Sequence, residues 1–338
     1  MSATIAAADV EHYLELAIAG DRRRAVRRVL DLVDEGMPPA VLITDLLGAA
    51  QHEVGERWQR AQWTTADEHL VTGVSQAALE ALATSTATPV EPQGQVVVAC
   101  AEGDWHALAS QMFAELLRAR GAGVDYLGAS TPADDVAAFL ARRRPDALAV
   151  TCNLALSYLG TARLVDAAHR QGVAVLVGGR ALTPARAAVL GADAYGSDVA
   201  EALEILRAWR EAPPTVSGEP VGLDQGALEL DQRSGDLADV AFVDLERRFP
   251  ELQAYDKRQR ARTREDLVYI VRYLAAARLV DDPAVYTEFL GWLEPLLAAR
   301  GVPESALTAG LESLAHLVRD SDEDAYRLVA AGMSKPRA

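Results

Sequence analysis

Between residues 95 and 195 five short apolar runs, at 96–101, 124–127, 147–151, 173–177 and more weakly 192–195, alternate with helix-length stretches. Parallel strands need a crossover of a dozen or more residues between them, and helical crossovers cover both faces of the sheet. Such strands read as near-continuous apolar runs, as these do. The alternation therefore defines a doubly wound parallel-sheet domain over 94–211. In open sheets of this kind ligands bind outside the carboxyl ends of the strands, so the residues after each run are where chemistry is sought.

The flanks follow a different period. Over 1–88, apolar residues recur at spacings of three and four, as in Val10, Tyr13, Leu14 and Ala17, then Ala25, Val29 and Leu30, and later Val41, Ile43, Leu46 and Leu47. With a Gly-Met-Pro-Pro break at 36–39 and a last helix over 66–83, this reads as an antiparallel four-helix bundle. Small and breaker residues at 84–94 form a linker, and 212–235, rich in Pro, Gly, Ser and Asp, reads as a second. From 236 to 331 the period is helical again, strongest at 243–249, 266–280, 285–299 and 305–317, with Pro283 and Pro303 near helix starts. The expected fold class is multidomain, α and α/β.

The chain has 338 residues and a net charge of −16, which argues against nucleic acid as a partner because phosphate contacts need a basic face. Cys100 and Cys152 do not form a Cys-x-x-Cys pair, which excludes a structural zinc cluster and fits a reducing compartment. No signal segment or membrane-length apolar run is evident, so a cytoplasmic protein with no membrane partner is expected.

Glu-Gly-Asp-Trp-His at 102–106 lies where the first strand hands over to a helix expected at 108–120. Read from its residues, the loop is either a capped turn or a metal site in which Asp104 takes one ring N–H of His106 and frees the other nitrogen. The sheet domain resembles the cobalamin-binding domain of methionine synthase and corrinoid proteins, whose signature runs Asp-x-His-x-x-Gly, Ser-x-Leu, Gly-Gly. Asp104-Trp105-His106-Ala107-Leu108-Ala109 supplies the first part with alanine for glycine. Thr151-Cys152-Asn153 keeps the hydroxyl of the second, and Gly178-Gly179 supplies the third. The resemblance implies His106 as lower axial ligand to cobalt, Asp104 on its other nitrogen and Ser157 behind Asp104.

In the bundle, Trp58, nine further residues, then Glu68-His69 resemble the Trp-x9-Glu-His motif of cobalamin-dependent photoreceptors that relieve transcriptional repression in light. That family's bundle caps the cofactor's upper face. The resemblance implies Trp58 against the adenosyl group of adenosylcobalamin and His69 as upper axial ligand after photolysis. Taken alone, the motif also fits a core tryptophan with a surface Glu-His pair. Those photoreceptors begin with a DNA-binding helix-turn-helix, whereas this chain begins at the bundle, so a protein signalling partner and a homo-oligomer are expected instead.

The stretch 262–274, with Arg264, Asp266, Tyr269, Arg272 and Tyr273, resembles the chromophore helix of the globin-like phycobiliproteins. Asp266 falls at the aspartate that binds bilin pyrrole nitrogens. Thr263 stands where a cysteine would tether the pigment, so a bilin such as biliverdin would be non-covalent. Arginine forks suit propionates, and Tyr269, Tyr273, Tyr286, Phe289 and Trp292 are candidates to line a flat pocket. An amphipathic helix with a solvated Arg/Asp face explains the same residues. The three units together resemble the photocobilins, which implies a light sensor with no catalytic residues rather than an enzyme. The alternative is a corrinoid carrier protein serving a cobalamin-dependent methyltransferase.

Overall fold

The computed structural model describes residues 4–85, 94–216 and 218–334. Residues 86–93 of the first expected linker lie outside the described residues.

The N-terminal unit is built from α1 (Ala7–Ile18), α2 (Arg22–Asp34), a continuous helical rod and α5 (Thr65–Ser85). The rod starts as α3 (Pro39–Val41), widens into a π-helical stretch at Leu42–Gly48 and continues as α4 (Ala49–Gln59). Asp21 caps α2 by accepting the Arg24 backbone N–H, satisfying one of the orphan donors of a helix start. Leu14, Val29, Leu46, Leu47 and Leu79 form the buried seam expected from their spacing. Leu108 and Leu116 of the following domain share that seam, so the bundle sits on the helix that begins next to His106.

Strands β1 (Gln95–Cys100), β2 (Gly123–Gly128), β3 (Ala147–Thr151), β4 (Ala174–Gly178) and β5 (Ala194–Tyr195) form one parallel sheet in the order β2-β1-β3-β4-β5. They alternate with α6 (Ala107–Ala119), α7 (Ala133–Arg143), α8 (Tyr158–His169), α9 (Pro184–Val189) and α10 (Val199–Glu211). Each strand falls within two residues of its apolar run. The order reverses between β1 and β3, which makes the crevice outside their carboxyl ends the switch point where open sheets bind ligands.

The C-terminal unit comprises α11 (Gln225–Gln232), α12 (Ser234–Arg248), α13 (Lys257–Leu279), α14 (Pro283–Ala299), α15 (Glu304–Val318) and α16 (Glu323–Ser334). The expected linker over 212–235 is corrected here: only its first half is coil. Asp224 accepts the Ala227 N–H to cap α11 and also binds Arg278 Nε, while Ala227 and Leu230 are buried. This helix is too short to stand out against the breaker residues before it. At α13, Asp256 and Gln259 form a capping box.

One buried cluster runs without a gap from the sheet (Val97, Val150, Val175) into the C-terminal helices (Leu267, Tyr286, Leu314). Arg186 of α9, only 7% exposed, fastens this junction. Its Nε donates to Asp282 Oδ2 at 2.8 Å, its Nη1 to the Ala181 carbonyl at 3.1 Å, and Glu288 lies 3.6 Å from Nη2. Truncating one partner of a buried pair leaves the other uncompensated. Because Asp282 keeps some water, Arg186→Ala is expected to cost about 2–3 kcal/mol, read as a lower urea midpoint for the C-terminal helices. An unchanged midpoint would show that the pair contributes nothing.

Candidate functional site at the sheet switch point

Two loops meet at the switch point. After β1 the chain turns through 102–106 and enters α6 with His106 at its N-cap. After β3 it passes through Cys152 and Asn153 into a short 3-10 turn at Ala155–Ser157 and α8. Asp104, 1% exposed, ties them together. Its Oδ1 lies 2.7 Å from His106 Nδ1 and accepts the His106 backbone N–H at 2.9 Å; its Oδ2 accepts the Asn153 N–H at 2.8 Å. Burial pushes this carboxyl up, but the imidazole and two backbone donors outweigh it and hold the group below its ordinary range. The Asp104 bond pushes the His106 pKa up against the opposing effect of burial, with Glu68 adding to it and Arg180 opposing. With Nδ1 committed and the ring 53% exposed, Nε2 is presented to a ligand.

The hydrogen bonds that reach the Asp104 carboxylate come from His106 and Asn153, not from Ser157, which is buried at the start of α8. A backbone donor fills the place that the resemblance gives to the serine. Backbone partners leave no trace in residue type, so sequence could not reveal it. Two further supports were also missed. Ser130 accepts the Gly103 N–H at 3.0 Å and donates its own N–H to the Asp104 carbonyl. Gly160, inside α8, lies so close to the loop that a Cβ there would sit 1.9 Å from the Glu102 carbonyl oxygen. The one available signal was a glycine inside a helical pattern.

Gly178 and Gly179 follow β4 as expected. Gly179 has φ +114°, and a Cβ there would sit 2.4 Å from the Cys152 carbonyl, so only glycine lets this turn lie flat on the neighbouring loop. Asn153 Nδ2 is buried without a hydrogen-bond partner, and Thr151 Oγ1 has none better than the adjacent Cys100 thiol.

The bundle comes close to this lip, with Glu68 of α5 near enough to act on the His106 charge. Trp58 donates through Nε1 to Thr65 Oγ1 at 3.3 Å, which joins the end of α4 to the start of α5, one turn before Glu68 and His69. His69 is 74% exposed, with Nε2 3.3 Å from Glu68 Oε2. A polar chain through the bundle supports Glu68. Tyr13 donates to buried Ser75, Gln51 Nε2 also donates to Ser75, and Thr72 Oγ1 lies 3.0 Å from Gln51 Oε1 and 3.2 Å from Glu68 Oε1.

The residues singled out on α13 do not form one site. Arg264 pairs with Asp239 of α12 and Arg272 with Asp231 of α11, whereas Tyr273 stacks on Phe289 of α14 at 3.7 Å. Helical spacing puts Asp266, Tyr269 and Tyr273 on one face and the two arginines on another. The aromatic residues expected to line a flat pocket pack on each other instead, with Tyr286 fully buried and Tyr269 left half-exposed. Burial, with help from Glu265, pushes the Asp266 carboxyl up to about 6 against Arg262 and Arg300.

The donor set tests what the switch point can hold. Among the described residues no three His, Cys, Asp or Glu side chains cluster to hold a metal ion. A lone oriented imidazole therefore suits a metal that arrives with its other ligands already attached. Leu70, Trp105 and Leu154, sequence neighbours of His69, His106 and Asn153, are large apolar side chains left exposed, area of the kind that a large, partly apolar ligand would cover. With the flat glycine turn and the orphaned Asn153 and Thr151 atoms, these residues fit a corrinoid.

A Rossmann-like sheet presenting a carboxylate-oriented histidine beneath a helical cap defines a class of corrinoid-type binding proteins. Residues 94–204 match the family model described as B12 binding domain, and residues 10–83 match a second model of the same description. The HTH-type transcriptional repressor CarH of Myxococcus xanthus is 30% identical over 177 residues, 51% of this chain and 58% of the repressor. The chain thus spans little more than half the length of that relative. Dimethylamine corrinoid protein 1 of Methanosarcina mazei is 22% identical over 196 residues, 56% of this chain and 91% of that protein. The solved monomethylamine corrinoid protein of Methanosarcina barkeri shares the fold, with a TM-score of 0.52 at 20% identity over 58% of this chain and 96% of that one. Together these findings support a cobalamin-binding protein. Among the described residues no helix is long and apolar enough to cross a membrane.

Two outcomes follow from the site geometry. An alanine in an open helix position would stabilise by about 1 kcal/mol over glycine. Gly160→Ala is expected instead to lower the melting temperature of the cofactor-free protein and to weaken cobalamin uptake roughly 10- to 100-fold, the scale of losing a supporting contact. A raised melting temperature with unchanged uptake would refute the contact. For Asp266 the folded pKa of about 6 lies above its ordinary value of 3.8, so the folded state binds the proton more tightly. The stability this contributes is complete below pH 4 and lost as pH rises through 6. Asp266→Asn should therefore outlast the parent in thermal melts at pH 8 and lose that advantage toward pH 4; a pH-independent difference would refute it.

Proposed function

We propose that this chain is a light-sensing photoreceptor that binds adenosylcobalamin, with His106 as lower axial ligand and the bundle closing over the upper face. The observation that carries the reading is the Asp104-held imidazole with its free Nε2, set beneath a cap that carries Trp58, Glu68 and His69. The 30% identity to the repressor CarH over 177 residues supports the same reading. When bound, the cofactor supplies a cobalt–carbon bond that light breaks. Asp104 holds the His106 tautomer throughout, so the lower side stays fixed. Thr151, Asn153 and the Gly178-Gly179 turn receive the polar tail of the ligand. Trp58 would lie against the upper group, and the α4–α5 corner that it ties through Thr65 would be the part free to repack without that group. Exposed His69 has a basic nitrogen on that corner with Glu68 to orient it. Repacking of the cap alters a subunit or partner surface, and no substrate is turned over.

In the same reading a non-covalent biliverdin binds beside α13, with Asp266 and half-exposed Tyr269 as its contacts, while Arg264 and Arg272 are held by Asp239 and Asp231. Co-expression with a bilin source and a red absorbance band in the purified protein test this half.

The second reading, a corrinoid carrier of methyl groups, is favoured by the 91% coverage of dimethylamine corrinoid protein 1. Free adenosylcobalamin also bleaches in light, so the discriminating measurement is the size of the protein. Loaded in the dark and then illuminated, it is expected to change its oligomeric state in size-exclusion chromatography. His106→Ala should abolish both the altered cobalamin spectrum and the size change. Identical elution in dark and light, with methyl transfer from a partner enzyme, would establish the carrier instead.

A further inference from the structure

Trp58 is held from outside its own bundle. Its ring stacks on Trp292 of α14, with centroids 6.1 Å apart and planes inclined by 19°, and the Arg300 guanidinium lies 4.9 Å from its centre. Arg300 also donates to the carbonyls of Trp58 at 3.3 Å and Gln59 at 3.4 Å, which belong to the last turn of α4. The last carbonyls of a helix lack intrahelical partners; Arg300 supplies one to Gln59 and adds a second donor at Trp58, whose carbonyl also accepts the Ala61 N–H. Gln59 Nε2 returns the contact to the Trp292 carbonyl at 3.4 Å.

Trp292 is itself braced. It packs on Phe289, centroids 6.2 Å apart, which lies flat on Tyr273. The opposite end of α14 is tied to the sheet domain through Asp282, Glu288 and Arg186, and Arg186 reaches the Ala181 carbonyl just beyond the Gly178-Gly179 turn. A single helix therefore grips the cap at one end and the loop below it at the other.

We propose that Trp292 and Arg300 are positioning residues that fix the place of Trp58 and so decide which upper ligand the cap accepts. The inference rests on the reading that Trp58 faces the upper side of a bound cobalamin. A tryptophan stacked from behind and hydrogen-bonded to Thr65 keeps one position, which on that reading keeps clear the space that a flat nucleoside-sized group needs. Released from that support, the ring falls into the gap, which penalises a large upper group and leaves a small one unaffected. The C-terminal unit is thus a selectivity element for the cap.

The test is binding of adenosylcobalamin, methylcobalamin and hydroxocobalamin to the full chain in the dark, followed by tryptophan quenching. Trp292→Ala is expected to weaken adenosylcobalamin about five- to tenfold, the worth of one stacked aromatic pair. The two small-ligand forms should change less than twofold, which also shows that the site is folded. Trp292→Phe should restore the preference and Arg300→Ala should reproduce part of the loss. An unchanged ratio of affinities in Trp292→Ala overturns the inference alone. A parent protein that takes up no cobalamin overturns the functional reading and the inference with it.

Discussion

The Asp104 carboxylate is the interaction on which the site depends. Buried at the point where the strand order reverses, it accepts from the loop after β1 through His106 and from the loop after β3 through Asn153. A buried carboxylate is stable only when its lone pairs are satisfied, so moving either loop would strand a charge. Folding of the two loops and orientation of the imidazole are therefore one event. The ring is set before any ligand arrives, which lowers the ordering cost of binding.

Much of this was legible in the chain because strands and their following loops are local. The apolar runs located the five strands, and Asp104, His106, Gly178 and Gly179 fell at strand ends where ligands collect. What escaped was of two kinds. Backbone donors such as Asn153 N–H and close approaches such as Gly160 on Glu102 depend on tertiary distance and not on residue type. The partners of Arg264 and Arg272 on α13 escaped for a different reason. Arg264 and Arg272, two turns apart on one helix, read as one recognition surface, but Asp239 and Asp231 on neighbouring helices engage them. The short α11 was hidden by the glycines and prolines that precede it.

The units are not beads on a string. The sheet core continues into the C-terminal helices, the bundle rests on α6, and α14 contacts both the cap and α9. Displacement at any one corner of this arrangement is felt at the other two, since packed interiors transmit strain. The C-terminal helices can in this way bear on a site built wholly from other segments.

The widened stretch at Leu42–Gly48 has a bearing on the same corner. A π-helical turn holds an extra residue relative to an α-helical one, and each residue advances the helix by about 100°. Everything downstream in the rod, Trp58 included, is therefore turned out of phase with Pro39–Val41. The azimuth at which the tryptophan meets Trp292 is thus encoded some ten residues earlier, in hydrogen-bond register and not in any side chain that touches it. Loss of a single residue from that stretch would leave every packed leucine upstream in place and aim the indole elsewhere.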